Sequence, residues 1–288
     1  MSEPIKNRYD FVFFFDVKDG NPNGDPDQVN LPRTDAEDQH GLVTDVCIKR
    51  KVRNYVMLEM MEKKVKSPFD IFIRQEQGHF LNKVIDSAKG EDIQQRQGSL
   101  CEQYYDIRTF GAVLATGEKG AGTIRGPVQF TFARSEDRIY QAEHSITRCA
   151  VTTKEEAEKQ EKREFASTFG RKATVPYALY RMHGYISAMD ARKTKFSEDD
   201  LKLLWKALIN AFENDRAAAR GEMNPRKLVI FKHDNHLGNE LAGRLFERVT
   251  VKKNSELPRG ISDYSILVNK EKLPFGITIQ QWPEENVF

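Results

Sequence analysis

The sequence predicts an α+β fold: a ferredoxin-like core, with helices packed on an antiparallel sheet, carrying large insertions. Three observations predict it. The hydrophobic pattern runs strand, helix, strand, then a long polar interruption, then strand, helix, strand. Residues 11–15, Phe-Val-Phe-Phe-Phe, form an apolar run stopped by Asp19-Gly20, as in a strand covered on both faces. Leu201, Leu204, Trp205, Leu208 and Phe212 recur at helical spacing behind Ser197-Glu-Asp-Asp200, a capping start.

The first strand reads either as core or as an aromatic outer face on which bases could stack. Three prolines and three glycines follow between positions 19 and 41, a density that excludes regular structure. A loop this long in a compact domain is functional or disordered. Its carboxylates Asp19, Asp25, Asp27 and Asp35 suit either metal ligation or solvated turns. Asp19-x-Asn21-x-Asn23-Gly24 imitates the first half of an EF-hand loop. Asn30 stands where that loop needs a bidentate Glu, and a strand precedes it, so the pattern argues against calcium.

Thr44 caps the first helix, and Asp45 suits its N-terminal dipole. Ile48, Val52 and Tyr55 fall on one side; Lys49, Arg50 and Arg53 share an arc of roughly 100° on the other. Three cations so placed can meet successive phosphates or form an ordinary solvated face. Pro68 closes the helix, and residues 69–73 read as a short strand. Residues 79–105 are polar and helical in pattern, 106–111 enter a loop, and Gly117, Gly120, Gly122 and Gly126 mark a connector. That stretch has neither GxGxxG nor a Lys-Ser/Thr after its last glycine, which weakens a nucleotide cradle.

Residues 126–132 alternate as a strand does, and 145–153 read as extended. Residues 154–164 are too charged to bury themselves and must project into solvent or onto a partner. Phe165 and Phe169 follow, beside Arg171 and Lys172. An apolar tip with basic neighbours can wedge between bases, dock on another subunit, or fold back as a satellite cluster. Residues 175–187 form a long strand candidate with a lone His183, which reads as structural. Residues 226–233 make the closing strand, and His233-x-x-His236 lacks a third ligand for a metal. A helical piece at 238–248, a strand at 264–269 and a proline-marked tail complete the chain.

The 288 residues allow one large or two small domains. A net charge of +2 gives a weak overall field, so nucleic-acid binding would need local basic patches. Three cysteines, at 47, 101 and 149, have no metal-ligand spacing and suit a reducing cytosol. No signal peptide opens the chain and no apolar run approaches about eighteen residues, so a cytoplasmic, membrane-free protein is expected. No cofactor or metal site is expected.

The landmarks Asp16, Asn21-Pro-Asn-Gly-Asp-Pro26, Pro32-Arg-Thr-Asp35, Gly41-Leu-Val-Thr-Asp-Val46 and Lys49-Arg50-x-x-Arg53 occur in this order. Together they resemble the group-seven Cas protein of the repeat-associated (RAMP) superfamily. That protein is the backbone subunit of type I CRISPR surveillance complexes (Cascade), and the type I-C member is the nearest in pattern. Asp106-x-Arg-Thr-Phe-Gly111, Gly126-Pro-Val-Gln129 and Pro176-Tyr-Ala-Leu-Tyr180 look like later landmarks. The resemblance spans roughly residues 8–250.

It implies a palm built on the RNA-recognition-motif-like core, a finger-like insertion at 74–125 and a thumb-like arm at 146–174. It implies copies stacked in a helical filament along CRISPR RNA, with Lys49, Arg50 and Arg53, joined by Arg33 and Arg108, on the guide backbone. The thumb, with Phe165, Phe169, Arg171 and Lys172, would kink the guide at intervals and leave bases free to pair with a target DNA strand. Expected partners are that RNA, that strand, other copies, and the large, small and guide-processing subunits. The subunit would not be catalytic. Type III relatives cleave target RNA with a loop aspartate, here Asp25 or Asp35, and that remains the alternative; a stand-alone RNA-processing nuclease would need His40, His144 or His183.

Overall fold

The computed structural model describes residues 3–65, 67–147, 150, 153–161 and 169–288. In chain order these form β1 (Tyr9–Gly20), β2 (Gly24–Asp25), β3 (Leu31–Pro32), β4 (His40–Val43) and α1 (Asp45–Glu62). Next come α2 (Leu81–Asp86), α3 (Ile93–Gln103), α4 (Tyr105–Phe110), β5 (Gly111–Leu114), β6 (Gly122–Arg125), β7 (Val128–Phe130) and β8 (Ala133–Arg138). Then follow β9 (Ala142–Thr147), α5 (Lys154–Glu161), β10 (Phe169–Ile186), α6 (Ala188–Thr194), α7 (Glu198–Ile209) and β11 (Glu222–His233). The chain closes with α8 (Ala242–Phe246), β12 (Val249–Lys253), β13 (Tyr264–Val268) and β14 (Ile277–Trp282).

The main sheet has the order β14-β11-β1-β10-β8-β4, with β7 and β9 also paired to β10, and all its pairings are antiparallel. Within it, β11-β1-β10-β7/β8 with α1 and α7 is the expected ferredoxin-like α+β core. β1 is central, paired to β10 on one side and β11 on the other. Alternation along a strand sends successive side chains to opposite faces. Phe11, Phe13, Phe15 and Val17 pack with α1 and α7; Val12 and Phe14 pack with α8, β12 and β13. The run 11–15 is therefore core on both faces, all five residues fully buried, and offers no aromatic platform. Gly184 on β10 is required here, because a Cβ would lie 2.0 Å from the Phe11 ring.

Both long helices start as their caps dictate. The Thr44 hydroxyl accepts from the Cys47 amide, and Ser197 with Asp200 forms a reciprocal capping box. Leu201, Leu204, Trp205, Leu208 and Phe212 are buried as their spacing requires. β10 runs past its pairing with β1, which ends at Val175; residues 169–174 pair with β9 as a ribbon about 20 Å long. Five of the six β9 residues are exposed.

Several sequence expectations are corrected. Residues 69–73 are not a strand: Asp70 makes a single bridge to Tyr104, while the second core strand is supplied by β7 and β8. Residues 106–111 are not a loop but α4 leading into β5, and the glycine-rich connector is the β5–β6 hairpin. Gly111 and Gly126 meet backbone to backbone there; a Cβ on Gly126 would lie 2.3 Å from the Gly111 nitrogen. The tail holds β14, an edge strand on β11. The insertion between α1 and β7 has its own small core of Phe72, Ile85, Leu100, Cys101, Tyr104, Ile107, Leu114, Ala121 and Ile124. Among the described residues no helix is long and apolar enough to cross a membrane.

Candidate nucleic-acid interface

A groove of about 1200 Å³ runs along α1 beside the loop after β1. Helical spacing brings Arg50, Arg53, Asn54 and Met57 to its wall, one turn after another. The loop supplies Asn21, Asn23, Asn30 and Arg33; Arg74, Arg220, Lys51 and Asp215 complete the charged lining. Among the described residues, five arginines and the buried Lys51 thus line one groove whose lining holds a single carboxylate.

The loop is tied to the helix rather than left free. The Asn23 carboxamide oxygen accepts from both the amide and the hydroxyl of Thr44, each at 2.9 Å. Asn21 is buried; its backbone amide donates to the Ala219 carbonyl and its side-chain amide to the Asn30 carbonyl. The loop tip is therefore fixed against the N-terminal turn of α1 and against the segment that carries Arg220.

Most of the cations are braced from behind. Arg33 pairs with Asp25 at 3.4 Å, Arg53 with Asp106 at 2.8 Å, and Arg74 with Asp70 and Glu76. Lys51 and Arg220 share Asp215. Arg50 is exposed and has no hydrogen-bond or ion-pair partner among the described residues. Bracing has two consequences. It holds guanidinium groups in place before a ligand arrives, and it offsets part of their charge. The field per subunit is thus smaller than the number of cations suggests.

The expected phosphate-gripping residues divide accordingly. Arg33, Arg50 and Arg53 line the groove. Lys49 does not: its ammonium pairs with Asp45 at 2.9 Å and lies 5.6 Å from the centre of the Phe110 ring, which Arg53 also covers. Arg108 is corrected outright. It is fully buried, with its guanidinium on both oxygens of Asp200 and on the Pro68 and Cys101 carbonyls. It joins α4 to the capped start of α7, to α3 and to the segment at Pro68. Asp106, two residues earlier, accepts from the Phe72 and Ile73 amides and from Arg53. The Asp106-x-Arg108 landmark is an internal clamp: both residues are buried, and Asp106 orients the groove residue Arg53.

Three groove cations, Lys51, Arg74 and Arg220, are not among those the sequence pattern singles out. Lys51 adjoins Arg50 in a run of cations, and that run is the only local signal for it. Arg74 and Arg220 reach the groove only through tertiary structure. On the arm, Arg171 is exposed and Lys172 half-buried on the β9–β10 ribbon, opposite Ser145 and His144. Phe169 opens β10, and Phe165 lies outside the described residues.

The loop aspartates have structural partners. Asp25 accepts from the Asp27 amide and pairs with Arg33. Asp35 accepts from the Glu37 amide and from Arg134, whose hydrogen bond holds its carboxyl below the usual range. Among the described residues no three His, Cys, Asp or Glu side chains are grouped to hold a metal ion. The histidines named for acid–base work sit elsewhere. His40 neighbours Asp38, and His144 neighbours Thr174. His183 stacks on Phe246 with ring centres 4.2 Å apart. His233 is buried against Asp10 at 2.9 Å, a structural pair.

Fold and groove together define an α+β protein with a ferredoxin-like core and a cationic cleft suited to a polyanion. The family model described as CRISPR-associated protein Cas7 matches residues 7–269, and the chain belongs to that family of CRISPR effector backbone subunits. A relative from Haloferax volcanii, itself described as CRISPR-associated protein Cas7, is 23% identical over 294 residues, covering 92% of this chain and 81% of its own. Among solved structures, a chain of a CRISPR RNA-guided surveillance complex in a pre-nicking state is similar at a TM-score of 0.49. It is 14% identical, with 78% of each chain covered. A chain of a Type III-B Cmr-beta complex bound to cognate target RNA is similar at 0.43, also 14% identical, with 78% of this chain and 61% of that one covered.

Proposed function

We propose that this chain is a non-catalytic, cytoplasmic backbone subunit of a type I-C CRISPR effector. Copies line up in a helical filament along one CRISPR RNA. Each holds a stretch of guide phosphates in the groove of Arg33, Arg50, Lys51, Arg53, Arg74 and Arg220. The observation that carries the reading is this convergence of cations beside a loop pinned to the helix. Contacts of this kind hold a strand without reading its sequence, which leaves the exposed bases to pair with a target DNA strand and form an R-loop.

In this reading residues 74–125 act as a finger and 146–174 as a thumb on a single palm-centred domain. The ribbon of β9 and β10 extends beyond the end of β1, which suits an arm that reaches over a bound strand. Arg171 and Lys172 would meet phosphates there, while Phe165 and Phe169 would open the stack and kink the guide. Lys49 serves by packing with Arg53 on Phe110 rather than by touching the strand. The large, small and guide-processing subunits complete the effector.

The test is assembly of the purified chain on CRISPR-type RNAs of increasing length, read by native mass. Copies should add in regular steps with length, and Arg50→Glu with Arg220→Glu should abolish the steps. Addition that ignores length, or is indifferent to both substitutions, would remove the reading. Cleavage of a complementary target RNA at regular spacing, lost on Asp25→Asn or Asp35→Asn, would replace it with a nuclease of the type III kind.

A further inference from the structure

Among the described residues, the single carboxylate in the groove lining is that of Asp215. A carboxylate in a cleft for a polyanion repels the ligand, so its presence there calls for a compensating role. Its contacts supply one. The Asp215 side chain is 11% exposed; one oxygen meets the ammonium of Lys51 on α1, and the other meets Arg220 at 2.8 Å. The Lys51 side chain is 4% exposed, and its ammonium lies 5.5 Å from the centre of the Phe212 ring.

Arg220 arrives on residues 210–221, which form neither helix nor strand. Arg216, Ala217, Ala218 and Ala219 are exposed, so apolar packing does not hold this segment. Its far end is held backbone to backbone against β1. A Cβ on Gly20 would lie 1.8 Å from the Arg220 carbonyl oxygen, and one on Gly221, at a φ of +60°, would lie 2.5 Å from that of Lys18. Those contacts fix the main chain of Arg220 and leave its side chain free to turn. Among the described residues, the guanidinium has one partner: it pairs with the Asp215 carboxylate and donates to the Asp215 carbonyl at 2.7 Å.

We propose that Asp215 is a positioning residue for the strand bound in the groove. Anchored on the buried Lys51, it holds the Arg220 guanidinium beside α1 before a phosphate arrives, so that the one negative charge in the lining strengthens binding. The proposal rests on the groove reading above and adds the residue that sets one of its walls. A guanidinium ordered in advance loses less freedom on binding than a free one.

The test is a double-mutant cycle on the full-length chain, with affinity for one single-stranded RNA read at low salt and at a temperature where every variant is folded. Asp215→Asn removes a negative charge, which by itself tightens binding to a polyanion. The expected result has the opposite sign: a loss of about fivefold, as an ordered side chain set free provides. In an Arg220→Ala background the same substitution should weaken nothing and tighten binding slightly, since only the charge effect is left. Asp215→Asn also leaves Lys51 buried without a partner. Where it does not fold, Lys51→Met with Asp215→Asn is compared with Lys51→Met alone and should show the same loss. Tighter or unchanged binding on loss of the carboxylate overturns the proposal and leaves the groove standing. So does an equal loss with and without Arg220, since Asp215 would then act through the fold at large. If wild type does not bind the strand, the groove reading falls and the proposal with it.

Discussion

Arg108→Met should unfold this protein more readily without touching the groove wall. The substitution keeps an unbranched apolar stem and removes the guanidinium with its charge. It leaves Asp200 at 1% exposure with only the Ser197 amide and hydroxyl as partners, and strips the Pro68 and Cys101 carbonyls of a donor. Breaking a buried pair by removing one partner costs about 3–5 kcal/mol, because the other charge stays buried. A chain of this length has an unfolding entropy of about 0.6 kcal/mol per degree. The expected fall in Tm is therefore about 5–8 °C, read by differential scanning calorimetry. Arg108→Met with Asp200→Leu, which removes both charges, should recover part of that loss. At temperatures where Arg108→Met is folded, its affinity for single-stranded RNA should stay within about twofold of wild type, since the residue has no exposed atom to offer. A Tm within a degree of wild type together with a tenfold loss of RNA affinity would refute the reasoning and return Arg108 to the binding surface.

Three further outcomes follow from the same structure. Burial, reinforced by Arg181, lowers the pKa of His183 from 6.5 to about 4. The unfolded chain then binds a proton that the folded chain refuses, so stability falls as pH drops from about 6.5 towards 4. His183→Phe, which can keep the stack on Phe246, should show a shallower decline in Tm across that window, and an identical decline would remove His183 from the account. Gly111→Ala places a Cβ 2.3 Å from the Ile124 carbonyl at a φ of +80°, so it should lower stability by about 1–3 kcal/mol in a urea titration; a neutral result would mean that the β5–β6 hairpin can shift. Ser197→Ala removes the capping box of α7 and should cost about 1 kcal/mol by the same titration, with no change in RNA affinity.

The parts of the fold that are legible in the sequence are those where local pattern and tertiary need agree. The Phe11–Phe15 run, the Thr44 and Ser197 caps and the stripe from Leu201 to Phe212 each carry a local signal that the whole fold also requires. Residues 69–73 mislead because Phe69, Ile71 and Phe72 have strand-like composition, yet among the described residues they make only the Asp70–Tyr104 bridge and bury their side chains in the main core and the core of the insertion. β14 is hidden by Pro283 and by its position at the sheet edge, where only one partner is needed.

For the groove, the face of α1 is legible but its exact members are not. Lys49 and Arg50 adjoin in sequence and part in space, since one finds Asp45 and Phe110 while the other finds solvent. Arg108 reads as a surface cation because buried arginine is rare. Its burial depends on Asp200, a residue 92 positions away. Arg74 and Arg220 arrive from segments with no pattern of their own.

The most direct test of the central claim is the salt dependence of single-stranded RNA binding by wild type and Arg50→Glu. Arg50 is exposed and has no partner among the described residues, so the substitution leaves every described ion pair intact. If the groove holds phosphates, log Kd for wild type should rise linearly with log salt, and the slope should fall by about 0.7 because one phosphate fewer is neutralised. Affinity at low salt should drop at least tenfold with Tm unchanged. Equal slopes and equal affinities for the two proteins would contradict the account, for Arg50 would then be a solvated cation and the groove would not be where the strand lies.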